Sequence, residues 1–271
     1  MTIHLRSIRL REDKDLPSGF PFDVPVIKNL KEITFKSPIT FFVGENGSGK
    51  STLLEAIAAT ATLPTIGSSE TDNDGTLSDI QRLGDFIKWV WNKRVRSGFF
   101  MRSEDFFGFA KRIASEVRYL EAKLKEEAGH DGQSQFALQL SKQGYARDYY
   151  ELKKLYGEGL DSQSHGESYF KLFRARFRPG GLYLMDEPEA PLSPNRQLTL
   201  IAMLKQMIDE DAQFIIATHS PILLAYPGAT IYNFSGGHIE ESDYESLEHV
   251  QITRDFLNNP ESYLRHLIYD S

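Results

Sequence analysis

The chain has 271 residues, 40% hydrophobic and 25% charged, with 31 Lys and Arg against 38 Asp and Glu for a formal charge of −7 and no cysteine. This composition specifies a folded core and excludes bulk disorder, disulfides, thiolate metal sites and thiol catalysis, while the acidic excess removes any global attraction to nucleic acid, leaving only local basic clusters for that purpose. The N-terminus MTIHLRSIRLRED lacks a signal-peptide core and no apolar run approaches the ~20 residues of a membrane helix, so the expectation is a soluble, cytoplasmic protein without membrane insertion.

From Thr2 to Lys36, short apolar stretches broken by Pro17, Gly19, Pro21 and Pro25 predict strands joined by turns. ITFFV, residues 39–43, is apolar on both faces, as in a buried parallel strand. It runs into a glycine loop and then into TLLEAIAATATL, where Leu53, Leu54, Ile57, Ala58 and Ala61 share one helical face until Pro64. Residues 67–79 read as an acidic loop, 80–127 as mostly helical, and 128–166 as polar, glycine-containing and the least ordered part. A helix over about 166–178, the strand LYLM, a helix over about 194–210, the strand QFIIAT and a hairpin within GATIYNFSGGHIE follow. Strands alternating with helices imply an α/β domain with a mainly parallel central sheet, an antiparallel β part and a helical insertion. The whole of 1–271 is expected to be one domain, with a helical lobe at about 65–163.

Gly44, Glu45, Asn46, Gly47, Ser48, Gly49, Lys50 and Ser51, followed by Thr52, fit the phosphate-loop pattern G-x-x-x-x-G-K-[ST] in full, between a strand and a helix. Backbone N–H groups of such a loop curl round the β-phosphate of ATP, Lys50 reaches the β- and γ-phosphates, and the Ser51 hydroxyl ligates Mg²⁺. The apolar strand before Asp186 and Glu187 delivers two carboxylates to a strand end. Asp186 is expected to hold the metal through its water shell and Glu187 to polarise the attacking water. FIIATHSP, residues 214–221, brings His219 to the same edge, within reach of the γ-phosphate and the water.

Those residues, in this order, resemble the ATP-binding-cassette (ABC) class of P-loop ATPases, which includes transporter ATPases and the SMC-like and RecF-like repair ATPases. The resemblance implies a signature loop between the two nucleotide motifs, opening a helix and binding the γ-phosphate held by another subunit. QSHGE stands where LSGGQ stands in that class, so Ser164, His165, Gly166 and Glu167 take the S-G-G-Q positions, departing at Gln163, His165 and Glu167. A closer resemblance, from about residue 20 onward, is to compact bacterial ATPases carrying FFVGENGSGKST, SHGES, DEPEAxLSPxRQ and ATHSPILLAxPGA. The class also implies an aromatic under the adenine, for which Phe20 or Phe22 is available, and a polar residue on a lid strand, for which Arg102 and Glu104 in GFFMRSEDFF are available. Residues 190–194 match a loop coupling two sites across a dimer, and Ser193 with Pro194 also reads as a helix N-cap.

A signature loop cannot complete its own chain's site, so the resemblance implies an ATP-dependent homodimer, with a nucleic acid or protein effector as partner, in DNA repair or phage defence. The nucleotide-binding subunit of an ABC transporter is the alternative, against which the missing lid glutamine and the divergent signature count. A P-loop kinase has no need of His219 or QSHGE. The 112 residues between Ser51 and Ser164 lack sustained heptads and so build no long coiled-coil arm. Within them the basic run KRVR, residues 93–96, is a candidate nucleic-acid contact or a solvated helix end.

Overall fold

The computed structural model describes residues 2–66, 75–125, 135–156, 165–265 and 268. In chain order the elements are β1 (Leu5–Leu10), α1 (Pro25–Lys28), β2 (Glu32–Thr34), β3 (Ile39–Gly44), α2 (Lys50–Thr60), β4 (Thr65–Ile66), α3 (Gly75–Gly84), β5 (Ile87–Trp91), β6 (Gly98–Arg102), α4 (Ser103–Lys125), α5 (Gln135–Tyr156), α6 (His165–Arg176) and β7 (Leu182–Asp186). They continue as α7 (Pro194–Asp209), β8 (Gln213–Ala217), α8 (Pro221–Leu224), β9 (Thr230–Ser235), β10 (His238–Glu241), a 3₁₀ turn at Tyr244–Ser246, α9 (Glu248–Asn258) and α10 (Pro260–Leu264).

Seven strands form the central sheet in the order β10-β9-β3-β8-β7-β6-β4. All neighbouring pairs are parallel except β10 on β9, the predicted hairpin. A second, antiparallel sheet has the order β2-β1-β5. The apolar runs of β3, β7 and β8 follow from burial on both faces, because successive side chains of a strand point to opposite sides. Phe41, Tyr183, Met185, Phe214 and Ile216 enter one core with α4, α6, α7 and α8; Phe42, Leu182, Leu184, Ile215 and Ala217 enter another with α1, α2, α3 and the antiparallel sheet. In the first core, Phe173 of α6 stacks on Phe177 at 5.1 Å and Phe177 on Phe99 of β6 at 5.7 Å, pinning the C-terminal end of α6 to the sheet.

Gln213 ties the two sheets together. It is fully buried, its amide oxygen accepts the N–H groups of His4 at 2.8 Å and Leu5 at 2.9 Å, and its amide nitrogen donates to the Leu5 carbonyl at 3.0 Å. Three main-chain groups at the start of β1 are thereby satisfied by one side chain.

Two expectations are corrected. The helical period expected over 80–127 is interrupted by β5 and β6, the second of which pairs with β7 inside the main sheet. The polar stretch 128–166 contains the 22-residue helix α5, which packs on α4 and α6. The region of the expected helical lobe therefore supplies strands to both sheets as well as α3, α4 and α5. KRVR lies between β5 and β6 with Lys93, Arg94 and Arg96 exposed, and so is a loop and not a helix end. Among the described residues no helix is long and apolar enough to cross a membrane.

Candidate nucleotide site

The carboxyl ends of β3, β6, β7, β8 and β9 lie along one edge of the sheet, the edge at which open α/β sheets bind ligands. Register fixes the neighbours there: Gly44 pairs with Phe234, Asp186 with Ala217, and Arg102 with Asp186. Beside this edge is a cleft of about 980 Å³. The loop residues Gly44–Ser48, His219, the Gly236–Gly237 turn of the hairpin and the first residues of α9, including His249, line it.

Gly44 has φ 145°, and a Cβ there would stand 2.4 Å from the carbonyl oxygen of Phe234, so only glycine lets the loop leave the sheet so close to β9. Gly47 has φ 79° and open space around it. Lys50 opens α2 and is buried, its amino group donating to the carbonyls of Gly44 at 2.6 Å and Glu45 at 2.9 Å. Burial lowers its pKa, opposed by Asp186, Glu187 and Glu189. The side-chain oxygen of Ser48 and Nε2 of His219, both on cleft-lining residues, are enclosed without a hydrogen-bond partner. They fit an acceptor-rich ligand such as a polyphosphate.

Asp186 ends β7 at 9% exposure with the Ser51 hydroxyl facing its carboxylate; burial raises its pKa, and Ser51, Arg102 and Lys50 pull it down. A hydroxyl against a carboxylate at a strand end is an oxygen donor set suited to a hard cation. Among the described residues no group of three or more His, Cys, Asp or Glu gathers into a metal cage, so Mg²⁺ here would draw its other ligands from phosphates and water.

Glu187 adopts φ 50°, the left-handed region, where few residues other than glycine are found. Its N–H donates to the Ala217 carbonyl at 2.9 Å, and its own carbonyl accepts the Ser103 hydroxyl. Held at both ends of its peptide unit, Glu187 keeps a conformation that costs about 1–3 kcal/mol, a pattern common at functional sites. Its carboxylate lies 3.7 Å from Nε2 of His219. Burial, then Lys50, lowers the pKa of His219 below its ordinary 6.5, so its imidazole is mainly neutral at pH 7.

Lys50, Ser51, Asp186, Glu187 and His219 therefore stand together, as the sequence reading expects. Phe22 does not join them: it is buried in the second core, its ring edge-on to Phe86 at 5.1 Å, and so has no face for an adenine. Phe20 is half-exposed and outside the cleft lining. Of the signature positions, Ser164, with Gln163 before it, lies outside the described residues, while His165, Gly166 and Glu167 form the first turn of α6. Ser193 takes the N-cap position of α7 without a side-chain cap bond; Ser220 at the N-cap of α8 accepts two, from Ile222 and Leu223.

Sequence reasoning named Arg102 only as a lid-strand candidate and missed two further contributors, Ser103 and Glu189. Arg102, at the end of β6, is paired with Glu55 of α2 as well as facing Asp186. Ser103 holds the Glu187 carbonyl. Glu189 accepts the His219 N–H at 2.7 Å, with the Thr218 hydroxyl also facing its carboxylate, and burial raises its pKa. The third carboxylate of DEPE was the signal available for Glu189.

A family model described as "AAA domain" matches residues 22–88, and one described as "AAA domain, putative AbiEii toxin, Type IV TA system" matches residues 68–225. No curated protein matches the chain. Similar solved structures include a nucleotide-free ATP-binding cassette from an ABC transporter, 15% identical, covering 96% of this chain and 97% of that one with a TM-score of 0.48. They also include the SMC head domain from Thermotoga maritima, 16% identical, covering 89% and 100% at 0.43. The Smc head domain of Pyrococcus furiosus, with an extended coiled coil bound to the C-terminal domain of ScpA, is 12% identical, covering 94% and 99% at 0.45. A family match over residues 68–225, more than half of the chain, makes it a member of the family "AAA domain, putative AbiEii toxin, Type IV TA system".

Proposed function

We propose that the chain binds ATP with Mg²⁺ and hydrolyses it to ADP and phosphate, working as a nucleotide-gated homodimer. The observation that carries this is the meeting, at one sheet edge, of the Ser51–Asp186 pair with Glu187 set 3.7 Å from His219. In this reading the loop from Gly44 to Thr52 cradles the phosphates and the Lys50 amino group turns from the loop carbonyls to the γ-phosphate. Ser51 and Asp186 hold Mg²⁺, which when bound neutralises charge on the phosphate oxygens. Glu187 polarises the attacking water. His219, mainly neutral at pH 7, donates one hydrogen bond to the γ-phosphate and orients the water.

The signature residues Ser164, His165, Gly166 and Glu167 would act in trans, on the ATP held by the other protomer, so that ATP closes the dimer and hydrolysis opens it. The output is work on nucleic acid or a protein effector in the cytoplasm. DNA repair and phage defence are the candidate settings; the family description names a toxin–antitoxin system.

Three variants test the reading. Lys50→Ala should lose ATP binding, and Glu187→Gln should release phosphate about 10²–10⁴-fold more slowly while accumulating as an ATP-bound dimer. Ser164→Arg should bind ATP but neither dimerise nor hydrolyse it. Light scattering that finds Glu187→Gln monomeric at saturating ATP removes the dimer; unchanged phosphate release in Glu187→Gln removes the role of Glu187.

A further inference from the structure

Two buried polar atoms near the site lack partners. Oε2 of Glu189 is enclosed and makes no hydrogen bond, although Oε1 of the same carboxylate holds the His219 N–H. The Tyr169 hydroxyl of α6 is fully buried and also makes none. Ser103 stands beside that hydroxyl but gives its own proton to the Glu187 carbonyl, and Glu189 is within electrostatic reach of it. One orphan is an acceptor and the other a donor. Leaving both unmet is costly, and a displacement of α6 that joined them would satisfy both.

The placement of α6 gives this significance. Its ring contacts fix Tyr169 between Phe106 of α4, at 4.7 Å, and Phe173, at 4.6 Å, while the helix's far end is held to the sheet through Phe177. The first turn of the same helix carries His165, Gly166 and Glu167. Four elements thus meet around one small polar cluster: α6 through Tyr169, the start of α4 through Ser103, the loop after β7 through Glu187 and Glu189, and the loop after β8 through Thr218 and His219.

We propose that Glu189 is a positioning residue and that, with the Tyr169 hydroxyl, it forms a buried relay carrying the position of α6 to the loop that bears His219. The relay rests on the ATPase reading for its purpose but not for its existence. When α6 shifts, the Tyr169 hydroxyl gains or loses the free Glu189 oxygen; the carboxylate turns, and the His219 N–H on its other oxygen follows. Both sites then bias one two-state contact, which is what physical coupling requires.

Hydrogen exchange and steady-state kinetics on the full chain test it separately. Tyr169→Phe removes only the hydroxyl, and should raise amide exchange across residues 214–222 about fivefold by removing the joined state, in which the Glu189 carboxylate and that loop are held. It should also lower kcat about tenfold with the Kd for a fluorescent ATP analogue unchanged, the mark of a positioning defect. Glu189→Met should do the same, Glu189→Gln, which keeps an acceptor for the His219 N–H, should recover most of both, and the Tyr169→Phe/Glu189→Met double variant should be no worse than Glu189→Met alone. Wild-type exchange across 214–222 in Tyr169→Phe overturns the relay, as do kinetic effects that multiply in the double variant or a Glu189→Gln as impaired as Glu189→Met. A wild-type chain that releases no phosphate overturns the ATPase reading instead, and the exchange measurement still decides the relay.

Discussion

Replacing Gly44 and Gly47 by alanine, one at a time, separates the two jobs of the phosphate loop. Both have positive φ, so each alanine carries backbone strain, about 1 kcal/mol at the low end of the usual range. At Gly47 the new methyl meets nothing within 4 Å, and strain is the whole cost to the fold. At Gly44 it would stand 2.4 Å from the Phe234 carbonyl oxygen and 2.9 Å from that residue's Cβ, so the end of β3 must part from β9 where Gly44 pairs with Phe234. Losing that end of the ladder adds about 1–2 kcal/mol to the strain. The total of about 2–3 kcal/mol corresponds, in a chain of this size, to a fall in Tm of roughly 4–12 °C, against about 2–4 °C for Gly47→Ala. Nucleotide affinity should rank the other way relative to stability, because Gly47 lines the cleft and its added methyl would meet no protein atom, and Gly47→Ala should lose about tenfold or more in ATP affinity for a small change in Tm. Thermal unfolding and titration with a fluorescent ATP analogue measure both. Equal losses of Tm in the two variants, or Gly47→Ala binding ATP like wild type, refute this account of the loop.

Three further outcomes are expected. Arg102→Met takes the cation from Glu55, whose side chain is only 15% exposed, and should destabilise the chain by about 1–2 kcal/mol; adding Glu55→Gln should recover most of that in chemical denaturation, and no recovery means the pair is not the cause. Gln213→Met leaves three main-chain groups of His4 and Leu5 without their buried partner, and should cost about 2–4 kcal/mol by the same assay, with a loss under about 1 kcal/mol contradicting the tie between the sheets. The third concerns pH. Burial raises Glu55, Asp186 and Glu189, so between the ordinary carboxylate values and the higher folded values the folded chain binds more protons than the unfolded one. Ionising these groups therefore opposes folding, progressively as pH rises through that interval and fully above it. Asp186→Asn should gain stability over wild type at pH 7 and lose that gain as pH falls below the carboxylate range; a gain that does not change with pH refutes the assignment.

The strand, loop and helix around Lys50 were legible because three independent signals coincide there: an apolar run on both faces, glycines at fixed offsets and a helical stripe beginning at Leu53. Asp186 and His219 were legible for the same reason, each following a strand buried on both sides. The strands β5 and β6 were not, because Ile80, Leu83 and Ile87 continue a helical period across a real boundary, and the apolar FFM of β6 carries no period at all. Helix α5 was hidden by its composition: it is polar, carries Gly144, and puts Tyr156 into the core with Leu152 packed against it. Phe22 misled because a sequence cannot say what a ring packs against; Phe86, distant in the chain, decides it. Ser103 and Glu189 act through main-chain groups of Glu187 and His219, contacts that depend on where two loops end up and leave no spacing to read.

The strand order has a consequence for how the chain is made. β3, which launches the phosphate loop, is flanked by β8 and β9, whose residues 214–217 and 230–234 are translated long after residues 39–44. Until they arrive, a strand whose residues 39–43 are almost wholly buried in the finished fold has both hydrogen-bonding edges open. The nascent chain must carry that exposed, aggregation-prone segment until β8 and β9 have been made, and is thus a natural client for chaperone shielding. The loop that β3 launches is translated long before the strands that give it its shape.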